Sequence, residues 1–232
     1  MPIKISRSKI DLFLECPKCF YLDKVLGVPR PPGFPFTLNS AVDNLLKKEF
    51  DIHRAKGEPH PLMKTYGIDA VPFKHEKIEE WRDARTRGIR FLHEPTDILV
   101  GGGIDDMWVN SKGELHVVDY KATAKAGRVN LDAEWQIGYK RQVEVYQWLF
   151  RKNGFKVSDV AYFVYVNGKR DAAAFDARLE FDIDIIPYKG NDDWIEKVLF
   201  EIRKTLDGDD VPKESKNCEY CAYRNAVNEA EM

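Results

Sequence analysis

The chain has 232 residues, of which 44% are hydrophobic and 32% are charged, as is typical of a globular protein with a sizeable core. The 36 Lys and Arg residues against 38 Asp and Glu give a net charge of -2, which excludes nucleic-acid binding through bulk positive charge alone. The sequence has no secretory signal, and no stretch approaches the roughly 18 apolar residues of a membrane helix. We therefore expect a cytoplasmic protein with no membrane partner.

Helical and irregular segments alternate through the first part of the chain. Residues 8–26 are predicted to be helical, with an interruption at the C-P-K-C segment that begins at Cys16. A proline-rich loop containing Phe34 and Phe36 follows, because proline is excluded from helix interiors. Apolar residues then recur at the helical period between positions 38 and 54, which predicts an amphipathic helix.

Extended periodicity replaces helical periodicity in the centre of the chain, after an irregular segment over 53–75 and a short polar helix near 76–86. Strands are predicted over residues 88–93, 97–101, 104–109 and 115–121. Turn-forming residues from Asn110 to Gly113 join the last two of these strands, which predicts a hairpin.

The second half of the chain is predicted to alternate helices and strands. Helices are expected over 133–152 and 192–206, and strands over 160–166 and 172–186. The core order of helix, three strands, helix and strand predicts an α/β fold with a mixed sheet. We expect one domain over residues 1–232, in which 1–37 and 207–232 form a lobe held by cysteines.

Asp105, Asp119 and Lys121 form a candidate catalytic group. Residues two apart on a strand share a face, so Asp119 and Lys121 point to the same side, and the hairpin brings Asp105 alongside them. The two carboxylates supply hard oxygen ligands, which suit Mg²⁺ or Mn²⁺. The bound ion would activate a water molecule for attack on a phosphodiester. Lys121 would orient that water or stabilise the developing charge. The alternative is that Asp105 is an ordinary turn residue and that Asp119 and Lys121 lie at a solvated strand end.

These motifs resemble the PD-(D/E)XK nuclease superfamily. Its pattern of G-x-x-D, hairpin and D-x-K is similar to Gly102 to Asp105 followed by Asp119-Tyr120-Lys121. Gln142 and Tyr146 resemble the Q-x-x-x-Y motif of the RecB-like branch. The resemblance implies a restriction-endonuclease-like core in which the backbone carbonyl of Tyr120 also binds the metal, while Gln142 and Tyr146 shape the site.

The helix over 38–54 departs from the family pattern. The family usually carries a histidine metal ligand on this helix, whereas the matching segment here ends in Asp43. An aspartate also binds Mg²⁺ or Mn²⁺ through oxygen, so we expect Asp43 to be a third ligand; the alternative is a solvent-facing helix residue. His53 does not fit the spacing and is not assigned.

Two C-x-x-C motifs use every cysteine of the chain. Cys16 and Cys19 stand near one end, and Cys218 and Cys221 near the other. Four thiolates in this spacing predict a structural Zn²⁺ or a [4Fe–4S] cluster. Some RecB-like nucleases join one N-terminal cysteine to three C-terminal ones around such a cluster, and this resemblance favours [4Fe–4S]. The usual final cysteine is absent, so Cys19 would supply the fourth ligand.

The resulting hypothesis is a metal-dependent nuclease that cleaves DNA, with a helicase or another DNA-processing protein as a possible partner. Two other hypotheses remain open. The chain could be a catalytically silent nucleic-acid-binding or partner subunit with a nuclease fold. Alternatively, it could be a redox or metal-sensing protein in which the four cysteines do the work.

Overall fold

The computed structural model describes residues 1–33 and 37–232, so Phe34 and Phe36 of the predicted loop lie outside the described residues. Two compact units divide the chain. The first contains Met1–Phe34, Leu92–Gly101 and Asp193–Met232, and the second contains Pro35–Phe91 and Gly102–Asp192. The expected lobe over 1–37 and 207–232 remains a prediction.

The two units are built from eight strands and eight α-helices in the described residues. The strands are β1 (Ile3–Ser6), β2 (Val71–Pro72), β3 (Ile89–His93), β4 (Ile98–Gly102), β5 (Asp106–Val109), β6 (Leu115–Thr123), β7 (Val160–Gly168) and β8 (Phe181–Lys189). The helices are α1 (Arg7–Glu15), α2 (Pro17–Lys24), α3 (Thr37–Lys56), α4 (Pro61–Thr65), α5 (Ile78–Arg82), α6 (Ile137–Lys152), α7 (Ile195–Asp207) and α8 (Glu219–Ala230). None of these helices has the length and apolar character that crossing a membrane requires.

The first unit packs helices against a parallel strand pair. Strand β1 pairs with β4 from Ile3 opposite Ile98 to Ser6 opposite Gly101. Helices α1 and α2 both contact α7, whose apolar face is buried. Burial of these apolar side chains is the main stabilising term for such a unit.

The second unit contains a five-stranded mixed sheet of order β2-β5-β6-β7-β8. Strands β5 and β6 pair antiparallel, which confirms the predicted hairpin. Strands β6 and β7 are parallel, and α6 supplies the long crossover that parallel neighbours need. The predicted mixed α/β fold is thus confirmed.

One face of β6 builds the core of the second unit. Val118 and Tyr120 pack in a buried cluster with Leu46 and Phe50 of α3 and with Trp108 of β5. Side chains alternate across a strand, so Asp119 and Lys121 project to the opposite face. The strand therefore serves a hydrophobic core on one side and polar groups on the other.

The structure differs from the sequence-based expectation in several segments. The strand predicted over 172–186 begins later, at Phe181, because Asp176 and Ala177 have φ of 42° and 54°. Left-handed backbone of this kind belongs to a turn and not to a strand. The segment 53–75, predicted to be irregular, contains the short elements α4 and β2.

A buried ion network lies where α3 and α5 meet β5. The carboxylate of Asp106 is fully buried and contacts the guanidinium groups of Arg54 and Arg82, the latter at 3.2 Å. Tyr120 Oη donates to the same carboxylate at 2.7 Å. Asp51 accepts from both arginines, at 2.9 Å from Arg54 Nε and 2.9 Å from Arg82 Nη1. Each buried charge is therefore matched, as burial requires.

The network shifts the titration of its members. Burial, together with the charge of Asp106 and its hydrogen bond, raises the pKa of Tyr120 well above its usual value. Burial acts to lower the pKa of Arg82, but its bond to Asp51 and the charge of Asp106 outweigh that effect and raise it. The phenol and the guanidinium thus stay protonated across the physiological range.

Replacing Asp106 by alanine is expected to lower the free energy of unfolding by about 3–5 kcal/mol, because two buried guanidinium groups lose their counterion. Chemical denaturation followed by circular dichroism measures this loss. Lys156→Ala is the control, since Lys156 is 63% exposed and lies 3.4 Å from Glu114. The control should cost less than about 1 kcal/mol. Equal losses in both variants would contradict a stabilising role for the network.

Candidate functional site

Asp105 lies just before β5, beside the end of β6 that carries the D-x-K residues. The ladder between β5 and β6 starts at Asp106 opposite Val118, so Asp105 stands at the level of Asp119. Its Oδ2 accepts a hydrogen bond from the backbone N–H of Tyr120 at 2.9 Å. Its backbone carbonyl accepts from Arg82 Nε at 3.1 Å. The side chain of Asp105 is therefore held against β6, while Arg82 fixes its backbone.

Asp119 and Lys121 share one face of β6 and form an ion pair. The side chain of Asp119 is 1% exposed and that of Lys121 is 14% exposed. Lys121 Nζ lies 3.4 Å from Gln142 Oε1 and 4.4 Å from the ring centroid of Tyr139, both on α6. The structure thus brings Asp119, Lys121 and Gln142 together.

The environment of the Tyr139 phenol disfavours its ionisation. Burial, with the nearby Tyr165 and the charge of Asp119, raises the pKa of Tyr139 to about 12. The phenol is neutral at physiological pH, so the Lys121 ammonium faces an aromatic ring and not a phenolate. A cation–π contact of this kind adds to the ion pair in fixing the amine.

Asp43 projects from α3 towards Asp105, with an ammonium group between them. Lys47 Nζ lies 2.8 Å from Asp43 Oδ2 and 3.6 Å from Asp105 Oδ1. Burial and the charge of Asp105 raise the pKa of Asp43, while its bond to Lys47 opposes them. The two carboxylates therefore converge on one positive charge, which is the kind of place a divalent cation would also favour.

The three aspartates predicted as metal ligands are close to β6 but not tightly clustered. Within residues 1–33 and 37–232, the four cysteines are the only set of three or more His, Cys, Asp or Glu residues whose ligand atoms all lie within 4.8 Å of one another. The donor set of Asp43, Asp105 and Asp119 suits Mg²⁺ or Mn²⁺ in chemistry. Holding one ion would require these carboxylates to exchange their lysine partners for it.

Two further predicted residues lie on the same elements, α6 and β6. Tyr146 is buried on α6, one turn beyond Gln142. The backbone of Tyr120 runs in β6 between Asp119 and Lys121, with its ring in the core on the other face.

Sequence reasoning missed several residues that contact the predicted group. Lys47 is one helical turn from Asp43, and this i, i+4 spacing was a usable signal. Tyr139 stands three residues before Gln142 on the same helix face, and this spacing is a weaker signal. Asn39 Nδ2 donates to the carbonyl of Ala122 at 3.1 Å and anchors the start of α3 to β6. That contact had no signal in the local sequence.

The four cysteines come together in the first unit, as predicted. The thiols of Cys16, Cys19, Cys218 and Cys221 are buried, and they form one cluster against Leu12. Sγ–Sγ distances are 3.5 Å from Cys19 to Cys218, 3.7 Å from Cys19 to Cys221 and 3.8 Å from Cys16 to Cys221. A four-thiol set of this kind could hold a metal.

Ionisation differs among these thiols. Burial opposes ionisation of Cys16, but backbone hydrogen bonds from Ser215 and Cys19 outweigh it and lower its pKa to about 6. Burial and the neighbouring thiols raise the pKa of Cys221. The thiol of Cys16 therefore ionises more readily than that of Cys221.

Comparison with known proteins identifies a family. A family model of the PD-(D/E)XK nuclease superfamily matches residues 4–226. The crystal structure of SSO0001 is similar at 16% sequence identity, covering 99% of this chain and 87% of that chain, with a TM-score of 0.44. A search of curated proteins finds no match.

Asp105→Ala is expected to lower the free energy of unfolding by about 1–2 kcal/mol, because the N–H of Tyr120 loses its acceptor. Asp105→Asn retains an oxygen acceptor and should lose less than half as much. Urea denaturation of the two variants, compared with wild type, measures the difference. If both variants lose the same stability, the carboxylate does not fix the end of β6 in this way.

Proposed function

This chain belongs to the PD-(D/E)XK nuclease superfamily, and we propose that it is a divalent-metal-dependent nuclease that hydrolyses phosphodiester bonds in DNA. The observation that supports this most is the grouping of Asp105, Asp119 and Lys121 at one end of the β5–β6 hairpin. The spacing of Gln142 and Tyr146 favours the RecB-like branch.

Lys121 is the proposed catalytic amine. Asp119, Gln142 and the Tyr139 ring surround it, so its ammonium is oriented before any substrate arrives. A fixed positive charge stabilises the negative charge that develops on the phosphoryl oxygens as water attacks in line and the P–O bond breaks. Gln142 would hold Lys121 in place and would not take part in bond making.

Asp105 and Asp119 are the proposed ligands of Mg²⁺ or Mn²⁺, with Asp43 as a third and the carbonyl of Tyr120 as a fourth. When bound, the ion would supply Lewis-acid activation of the phosphate and a more acidic water. Asp105 is already directed towards β6 by the Tyr120 N–H, which preorganises one oxygen of the set. Lys47 would give up its contact with Asp105 on ion binding.

DNA is the proposed substrate, and a cavity lined by both basic and acidic residues offers positive groups to the phosphate backbone. Four basic residues just past the ends of β6 and β7 line a cavity of about 610 Å³: Lys125, Arg128, Lys169 and Arg170. Asp171, Asp182 and Asp184 line it as well, so binding would be moderate and salt-dependent. This cavity lies at the same end of β6 as Lys121.

A helicase or other DNA-processing partner remains a proposal from resemblance.

Lys121→Ala is expected to reduce Mn²⁺-dependent cleavage of DNA at least about 100-fold, because the transition state loses a positioned charge. Labelled single- and double-stranded DNA and an RNA of the same sequence should be compared, with and without EDTA. Lys156→Ala serves as control, since Lys156 lies beside the opposite end of β6 and should leave cleavage unchanged. Cleavage that persists in EDTA, or equally in Lys121→Ala, would overturn the proposal.

A catalytically silent partner subunit is the second candidate, and a specific observation favours it. Lys47 bridges Asp43 and Asp105, and Lys121 pairs with Asp119, so internal ammonium groups engage all three carboxylates. Such pairing would compensate the three carboxylate charges without any ion. Absence of cleavage together with retained binding of DNA would support this alternative.

Lys47→Met is expected to tighten Mn²⁺ binding roughly tenfold, about 1.4 kcal/mol, because the carboxylates of Asp43 and Asp105 lose their competing cation. Isothermal titration calorimetry measures the dissociation constant. Lys48→Met is the matched control, since it removes the same charge from the exposed neighbouring position. Equal effects in both variants would mean that the aspartates do not form the ion site.

A further inference from the structure

The two C-x-x-C motifs, called cysteine hooks below, have the same local structure at the starts of two helices. Cys16 immediately precedes α2, and Cys19 lies in its first turn. Cys218 and Cys221 hold the same positions relative to α8. In both hooks the carbonyl of the first cysteine accepts from the N–H four residues later, at 3.0 Å from Phe20 and 3.0 Å from Ala222. Each thiol pair therefore belongs to the N-terminal end of a helix, where the partial positive charge favours thiolates.

The spacing of the four sulfur atoms is that of ligands on a single ion. Zn²⁺ binds thiolate sulfur at about 2.3 Å in a tetrahedron, so its ligand sulfurs are about 3.8 Å apart. Three of the six Sγ–Sγ distances, at 3.5, 3.7 and 3.8 Å, are close to this edge length. All four sulfur atoms also lie within 4.8 Å of one another.

An iron–sulfur cluster requires a wider arrangement. In a [4Fe–4S] cluster each thiolate binds a different iron at the corner of a cube, which holds the sulfur atoms roughly 6 Å apart. A [2Fe–2S] cluster likewise separates its two thiolate pairs by the width of the diamond core. Neither fits four sulfurs that all lie within 4.8 Å of one another. The distances are also far longer than the ~2.05 Å of a disulfide bond.

We propose that Cys16, Cys19, Cys218 and Cys221 form a mononuclear tetrahedral site for Zn²⁺ and do not carry an iron–sulfur cluster. The inference does not depend on the proposed nuclease activity. All four ligands come from the protein, so no coordination position is open to a substrate, and the site is structural. It joins residues 205 positions apart in the chain, from Cys16 to Cys221.

Arg30 is the proposed charge-balancing residue of this site. Four thiolates around one Zn²⁺ leave a net charge of about minus two, which needs compensation in a buried place. Arg30 Nη2 lies 3.6 Å from Cys218 Sγ, and its guanidinium stacks over the Tyr220 ring at 4.5 Å. Glu15 Oε2 accepts from Arg30 Nη1 at 2.7 Å and orients it. Outer groups of this kind tune metal affinity.

Metal analysis of the full chain tests the proposal. The protein should be produced in medium that contains both iron and zinc and purified without oxygen, so that a cluster would survive. Elemental analysis should find about one zinc per chain, with neither iron nor acid-labile sulfide. X-ray absorption at the zinc edge should show one shell of four sulfur atoms at about 2.3 Å. Stoichiometric iron, with or without sulfide, would overturn the assignment.

Reconstitution excludes accidental loading of zinc into a cluster site. Protein stripped of metal should be offered ferrous iron and sulfide in one sample and Zn²⁺ in another, under reducing conditions. Only the zinc sample should regain the thermal transition of the purified protein. A brown sample that is stabilised by iron and sulfide would overturn the proposal even if the purified protein held zinc.

Two variants test which residues form the zinc site. Cys19→Ser should lose zinc, and because it could also fail to fold, Arg30→Gln is the more informative change. Arg30→Gln keeps all four ligands, so it should hold one zinc but release it to a chelator about 10–100 times more readily. Lys121→Ala should hold and release zinc as wild type does. If Arg30→Gln released zinc as slowly as wild type, Arg30 would have no role in balancing the charge of the site.

Discussion

The buried carboxylate of Asp106 is the constraint on which the geometry of the second unit depends. A charge removed from water must be met by partners, and Arg54, Arg82 and Tyr120 all converge on this one. They come from α3, α5 and β6, so satisfying a single charge fixes three elements at the start of β5. The neighbouring Asp105 is positioned as a consequence, because Arg82 also binds its backbone carbonyl.

The parts of the fold that the sequence predicts well are those with local causes. The β5–β6 hairpin follows from alternating side chains and from the turn residues between Asn110 and Gly113. The shared face of Asp119 and Lys121 follows from strand geometry alone. Pairing of the two C-x-x-C motifs follows from the spacing and number of the cysteines. Each of these predictions needs only neighbours along the chain or a ligand set that only four residues can complete.

The remaining features depend on packing between distant segments. Asp105 and Asp106 are adjacent and chemically identical, and the pattern does not indicate which one is buried. Lys47 bridges two aspartates only because α3 lies along β6, and β1 finds its partner β4 nearly a hundred residues away. The cysteine spacing likewise leaves the choice between zinc and a cluster open, since that choice depends on distances between sulfur atoms. Contacts of this range are set by the assembled core and not by local periodicity.

The division of the first unit among three chain segments has a consequence for synthesis on the ribosome. The second unit is complete once Asp192 has emerged, whereas the first needs Asp193–Met232 as well as the N-terminal segment. Cys16 and Cys19 are synthesised early, but the four-thiol cluster cannot form until Cys218 and Cys221 have emerged. During synthesis the thiols of Cys16 and Cys19 therefore stay unprotected after the second unit is complete. They remain open to oxidation until α8 has been made.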